Sequence, residues 1–353
     1  MRFTHGAWRL LLILPVLAVA IAMIVWRGPD WHLVRHAFTS VSWPWVFGAI
    51  GLNLLSVITR AFAWDTAIKQ SITPPHPAFR LVFSAFSVGL FANAVLPGRV
   101  GELARVAVLR RRLDRHPKGT SATLIGSVFA HRMFDLFPSV TLVVWVYFAA
   151  KIPGWARTGI AAVLAVGVLL FLGAWALARM QHRLQQGIGT LRLLVARGRE
   201  GLAIMRAPVP AATAATAQFA GWTCQLFAVW ATMHAFAIDK PLSAAGLVLV
   251  LINVATVFPL WPGNVGLVQI AIATPLVSYG VAYAHGVAFG IGLQAIEASV
   301  GIGVGVVFLT REGLSYASLK SMEQEEEHEE EARQARGGAA GGQPETLPER
   351  AQL

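Results

Sequence analysis

Apolar residues run along this chain in long unbroken blocks, not in the one-faced stripes of helices that float on a soluble core. Leu10 to Trp26, Trp43 to Ala63, Trp155 to Ala178, Ala211 to Ile238 and Val281 to Leu309 are the clearest blocks. A helix rising 1.5 Å per residue needs roughly 20 mostly apolar residues to cross hydrocarbon, so each block predicts a membrane span. A further crossing is expected within Thr120 to Ala150. Ala18-Val19-Ala20 resembles a signal-peptide cleavage site, but apolar sequence continues to Trp26, so a retained signal anchor is expected.

Composition agrees with the pattern. Of 353 residues, 56% are hydrophobic and 13% charged, about half the charged share of an ordinary soluble domain. The single cysteine, Cys224, excludes an intrachain disulfide and a cysteine-based zinc cluster. The ten histidines show no HExxH spacing, so neither metal nor cofactor is expected. Nine of the eighteen acids lie from Glu323 onward, leaving twenty-six bases against nine acids in the rest. On a membrane protein such bases mark cytoplasmic loops and contacts with anionic lipid, not nucleic acid. Residues 1–312 are therefore expected to form the transmembrane domain. Residues 313–353, with Glu325-Glu326-Glu327 and a Gly337 to Gly342 tract, form an acidic, Gly-rich disordered cytoplasmic tail.

Charge also sets the topology. Bases cluster at both ends of the membrane region, in Arg99 to Lys118 and in Arg179 to Arg206, and all four groups should face the cytoplasm. With the N-terminus inside, a full crossing at Leu81 to Leu96 would carry Arg110-Arg111-Arg112 to the outside. A re-entrant hairpin avoids this, with Leu96-Pro97-Gly98-Arg99-Val100-Gly101-Glu102 as its turn and Leu103 to Leu113 as its second arm. After a span at Ala211 to Ile238, Leu242 to Leu260 leads into Trp261-Pro262-Gly263-Asn264-Val265-Gly266-Leu267. This segment repeats the proline, glycine, valine and glycine of the first turn 165 residues later. The expected fold is all-α: a polytopic helix bundle of about six full spans and two broken hairpins, arranged as an inverted repeat with both termini cytoplasmic in the cell membrane.

Broken backbone at membrane depth is tolerated where it is buried in protein or lines a wet cavity, so each turn points to a cavity. The amides from Gly98 to Gly101 precede a helix and favour an anion, and Arg99 and Arg105 add guanidinium groups suited to a lipid phosphate. Alternatively these arginines snorkel to the interface as positive-inside markers, with Glu102 pairing with one of them. Gln181 to Arg206 is basic and amphipathic, as in a helix lying on the cytoplasmic leaflet. Tryptophans such as Trp26, Trp43, Trp45, Trp155 and Trp261 mark the bilayer boundary, and Pro138 and Pro275 are expected as kinks. Arg132 and Asp135 share a helix face, and the 165-residue shift sets Arg132 opposite Glu297, which would let the two meet across a pseudo-twofold axis. A structural salt bridge and a gating or proton-coupled role both remain open for this intramembrane charge network.

Asn93-Ala94-Val95-Leu96-Pro97-Gly98-Arg99-Val100-Gly101-Glu102 and Pro262-Gly263-Asn264-Val265-Gly266-Leu267-Val268-Gln269 resemble the flippase-like, lysylphosphatidylglycerol synthase transmembrane-region family. The Arg132 and Asp135 pair is similar to that family's central motif, and the resemblance spans roughly Leu10 to Glu312. It implies a lipid-handling membrane domain, in some relatives one that moves a modified phospholipid or isoprenoid-linked sugar between leaflets. Many members carry glutamate where Gln269 stands and an acid where His131 stands, and the lysyl transfer carried out by the soluble aminoacyl-transferase domain of some relatives is not expected here.

The expectation is a non-enzymatic lipid transporter that binds an anionic headgroup. Its site would comprise Pro97, Gly98, Arg99, Gly101, Glu102 and Arg105 from the first turn and Pro262, Gly263, Asn264, Gly266 and Gln269 from the second. The alternative is a non-transporting scaffold or regulator that partners an envelope-lipid enzyme. An intramembrane enzyme has the least support, since no metal or transferase motif is present.

Overall fold

The computed structural model describes residues 29–95, 100–113, 120–154, 157–159, 203–256 and 264–311. Outside them lie the expected span Leu10 to Trp26, nearly all of Trp155 to Ala178, most of the amphipathic Gln181 to Arg206 segment and the 313–353 tail. Pro97, Gly98, Arg99, Pro262 and Gly263 also fall outside.

Among the described residues the chain is helical throughout, with no strand. A short helix α1 (Trp31–Thr39) is capped by Asp30, whose carboxylate accepts from the backbone N–H of His32 and Leu33. Then follow α2 (Trp43–Ser71), α3 (Phe79–Val95), α4 (Gly101–Arg111) and α5 (Thr120–Ala149). After the undescribed stretch come α6 (Pro208–Ala235), α7 (Leu242–Ala255), α8 (Leu267–Leu276) and α9 (Tyr283–Arg311). Prolines sit in the first turns of α2 and α6, where the missing N–H costs nothing. Pro138 lies inside α5 and Pro275 inside α8.

Among the described residues three helices, α2, α5 and α9, have the length and apolarity to cross a membrane. At 1.5 Å per residue α2 is about 43 Å long, more than the roughly 30 Å of a hydrocarbon core. It runs eight residues past the expected end at Ala63, because Lys69 Nζ reaches Asp65 Oδ2 at 2.7 Å and neutralises that buried carboxylate within the helix. By contrast α4 and α8 are about 17 and 15 Å long, too short to cross alone.

The short arms pack in pairs. Helix α4 lies against α3, and the amide of Gly101 donates to Asn93 Oδ1 at 2.8 Å, which ties the start of one arm to the end of the other. Any β-carbon on Gly101 would collide with the Gly89 carbonyl and the Asn93 side chain. Helix α8 likewise lies against α7, and Asn264 Nδ2 donates to the Ala255 carbonyl at 3.0 Å. Asn264 and Gly266 both adopt positive φ there, a conformation that asparagine and glycine tolerate best.

The four helices α6 to α9 begin 163 to 166 residues after α2 to α5, respectively. The most extensive helix pair is α2 with α6, which run antiparallel. The Ser42 amide donates to the Ala235 carbonyl at 2.9 Å, Trp45 packs edge-on against Trp230 with centroids 5.8 Å apart, and Arg60 Nη1 reaches Gln225 Oε1 at 3.3 Å near the middle. Helix α3 packs on α9 and α7 on α5, completing a reciprocal pattern. Among the described residues three apolar clusters result, one around Trp64, Val88, Leu109 and Leu124, a second around Met233, Leu249, Ile272 and Phe289, and a smaller one around Ala67, Ala130, Phe134 and Ile204.

The Gly89–Gly101 approach holds the first hairpin shut. Gly101→Val should cost about 1–3 kcal/mol, the usual range for overpacking, whereas Gly48→Ala, with no neighbour within 4 Å of its added carbon, should be neutral. Thermal unfolding of the two variants in detergent separates them; equal midpoints would mean that the arms do not meet as described.

Candidate functional site

The first hairpin closes over a cluster of charges that α2 and α5 supply from the side. Arg105, in the middle of α4, is 3% exposed, and a buried cation in lipid must find counter-charges or π faces. It finds both. Its guanidinium lies 4.6 Å from the Trp64 ring centroid and 5.3 Å from that of Phe86, and it pairs with Glu102 one turn back. Trp64 is itself fixed by donating its indole N–H to Ser127 Oγ at 3.2 Å. The Arg105 Nε has no hydrogen-bond partner among the described residues.

Glu102 also pairs with Arg132 of α5, so its carboxylate bridges the hairpin arm and the span. Arg132 in turn donates from Nη1 to Asp135 Oδ2 at 2.9 Å. Asp135 gathers two further donors: Arg60 Nη2 of α2, 3.2 Å and 3.4 Å from its two oxygens, and the Trp222 indole N–H of α6 at 3.0 Å. Donors from three helices thus converge on one carboxylate. His131, 2% exposed, sits beside them with Nε2 3.1 Å from the Arg60 carbonyl, while Gln218 Nε2 donates to the His131 carbonyl at 3.4 Å.

Between these groups lies a cavity of about 160 Å³. Its wall includes Arg60, Asn93, Glu102, Arg105, His131 and Arg132, and every lining residue comes from α2 to α5. Three guanidinium groups and one carboxylate thus surround a small void, and guanidinium is the side chain that offers paired donors to a carboxylate or phosphate.

The sequence-expected residues fall into three groups. Gly101, Glu102 and Arg105 come together with Arg132 and Asp135. Asn264, Gly266 and Gln269 lie at the second hairpin and do not line this cavity. Gln269 Oε1 accepts from the Gly266 amide at 2.6 Å, and its Nε2 donates to Gln294 Oε1 at 2.6 Å. Glu297 does not meet Arg132 as expected, since among the described residues the ion pairs of Arg132 are with Glu102 and Asp135; it meets Gln225, which holds Arg60, and so joins the charged cluster through a glutamine. Pro97, Gly98, Arg99, Pro262 and Gly263 lie outside the described residues.

Sequence reasoning missed Arg60, Trp64, Trp222 and Gln225. Arg60 carried a signal, because a lone arginine within an apolar span demands a partner. Trp64 and Trp222 carried none, as their roles depend on residues dozens of positions away; they serve the site, while Trp43, 65% exposed at the start of α2, fits a boundary role.

Residues 7–305 match the family described as lysylphosphatidylglycerol synthase TM region. No curated protein and no solved structure matches the chain.

Removing one member of a buried ion pair costs about 3–5 kcal/mol because the other is stranded. Asp135→Asn and Arg60→Gln should each lower the unfolding midpoint in detergent sharply, and the double variant should lose less than the two losses added. Strict additivity would mean that the two side chains are not coupled.

Proposed function

The chain belongs to the lysylphosphatidylglycerol synthase TM region family, and from that premise we propose that it is a flippase-like transporter that carries a lipid with an anionic headgroup across the cell membrane. The observation that carries the reading is the cavity walled by Arg60, Arg105 and Arg132 against the first hairpin. Such a void is too small for acyl chains and suits a phosphate, so the headgroup enters while the tails stay in the bilayer.

The architecture supports movement as well as binding. Helices α2 and α6 begin 165 residues apart and run antiparallel, and Arg60 and Gln225, separated by the same interval, touch where they cross. In this reading a twofold axis runs through that contact in the membrane plane, as in an inverted repeat. Six spans, two re-entrant hairpins and cytoplasmic termini follow in this reading from the basic clusters of the sequence. In inverted repeats one bundle rocks against the other around a fixed site. The lipid leaves chemically unchanged, so no catalytic residue is assigned.

The test uses the full chain reconstituted into phosphatidylcholine vesicles with fluorescent phosphatidylglycerol, and dithionite quenching to read the outer leaflet. The protein should speed exchange above empty vesicles. Arg105→Gln and Arg132→Gln should slow it by about tenfold each, the loss expected for removing one charge-assisted contact of roughly 1.5 kcal/mol. Gly48→Ala should match the parent. Exchange no faster than in empty vesicles, for phosphatidylglycerol and for isoprenoid phosphates alike, would overturn the proposal.

A further inference from the structure

We propose that Glu102 is a displaceable counter-anion, holding in the empty site the place that the headgroup phosphate takes on binding; this rests on the phosphate-binding reading above. The two carboxylates of the cluster are built for different tasks. Asp135 accepts from Arg60, Arg132 and Trp222, donors on three helices that fix it from several directions. Glu102 lines the cavity, and among the described residues its partners are Arg105 and Arg132, both of which line the same cavity. No indole or backbone donor anchors it among those residues. A small rotation of its side chain therefore releases the donors it occupies on Arg105 and Arg132 at once, while Arg132 keeps its bond to Asp135.

The chemistry of exchange is nearly symmetrical. A carboxylate and a phosphodiester each present two oxygens that share one negative charge, and both fit the guanidinium fork. Arg105 cannot follow Glu102 outward, because Trp64 and Phe86 hold its guanidinium. Its Nε is buried without a hydrogen-bond partner among the described residues. Without Glu102 the empty site would leave the buried Arg105 without its carboxylate partner near hydrocarbon, a costly state. With it, phosphate entry replaces one anion by another, so binding stays weak enough to reverse, as carriage across a membrane requires.

The second half of the chain supports the pairing of roles. At the 165-residue interval Arg105 corresponds to Ile270 and Glu102 to Leu267. Where the guanidinium is absent, the carboxylate that would stand in for its ligand is absent too. Glu102 therefore goes with the anion site and is not a general need of the hairpin, since α8 forms the same short arm with leucine in that place.

The test is calorimetric titration of the full chain in detergent with dihexanoyl phosphatidylglycerol and, separately, with inorganic phosphate. Glu102→Gln should bind the short lipid on the order of tenfold more tightly while exchanging lipid across vesicles more slowly; Glu102→Asp should stay near the parent. A gain for both probes supports the proposal with phosphate as the recognised unit, and a gain for the lipid alone supports it with the glycerol ester as part of the recognised unit. Unchanged or weaker binding by a folded Glu102→Gln overturns the inference and leaves the phosphate-binding reading standing. A parent protein that binds neither probe overturns both. A second measurement needs no variant: carbodiimide-driven coupling of glycine ethyl ester to Glu102, read by mass spectrometry, should rise when dihexanoyl phosphatidylglycerol is added. Unchanged or reduced coupling counts against displacement.

Discussion

The carboxylate of Asp135 is the point on which the charged interior depends. It lies in a helix long and apolar enough to cross the bilayer, where an unpaired ion costs several kcal/mol. Arg60 from α2, Arg132 from its own helix and Trp222 from α6 satisfy it together. Because these donors sit on separate elements, the carboxylate also fixes how α2, α5 and α6 meet. Arg132, so placed, can hold Glu102, and Glu102 links the hairpin arm α4 to the span α5. Charge pairing here does what a hydrophobic effect cannot do in lipid, where tails are as apolar as leucine.

The doubled helix pattern is not doubled in chemistry. Helices α2 to α5 recur as α6 to α9 at nearly constant spacing, but Arg60, Arg105 and Arg132 correspond to Gln225, Ile270 and Glu297. Helix length and turn position repeat, whereas the three guanidinium groups lie in the first half and no arginine stands at the matching positions of the second. The second hairpin is instead closed by neutral groups: the Asn264 amide on the Ala255 carbonyl, and Gln269 between the Gly266 amide and Gln294. The cavity walled by Arg60, Arg105 and Arg132 therefore lies on the side of the first hairpin. The second half is coupled to it through the Gln225 bridge between Arg60 and Glu297.

Much of this was legible in the chain itself. The hairpin at Phe79–Val95 and Gly101–Arg111 could be foreseen because three consecutive arginines cannot be carried across lipid, and Pro97 and two glycines mark the break. Glu102, Arg105, Arg132 and Asp135 stood out as ionisable residues at membrane depth. The rest was hidden for a physical reason: its partners are distant in sequence. Arg60 looks like an isolated defect in an apolar block until Asp135, 75 residues on, comes beside it. The end of α2 was misjudged because Asp65 and Lys69 look like a span boundary in sequence, yet pair within the helix and let it continue to Ser71. Asn264, Gly266 and Gln269 of the second turn do not line the first-hairpin cavity, and matching motifs report backbone shape, not the side chains that shape presents.

The central claim is that a lipid phosphate sits against the guanidinium groups of the first hairpin, and the most direct measurement is the contact itself. Rotational-echo solid-state NMR on proteoliposomes of arginine-15N-labelled protein with phosphatidylglycerol reads guanidinium nitrogen to phosphorus distances. The account predicts dephasing from a nitrogen within hydrogen-bonding reach of phosphorus, about 4 Å or less, lost in Arg105→Gln and kept in Arg206→Gln. No dephasing in the parent, or dephasing that survives Arg105→Gln unchanged, would contradict it.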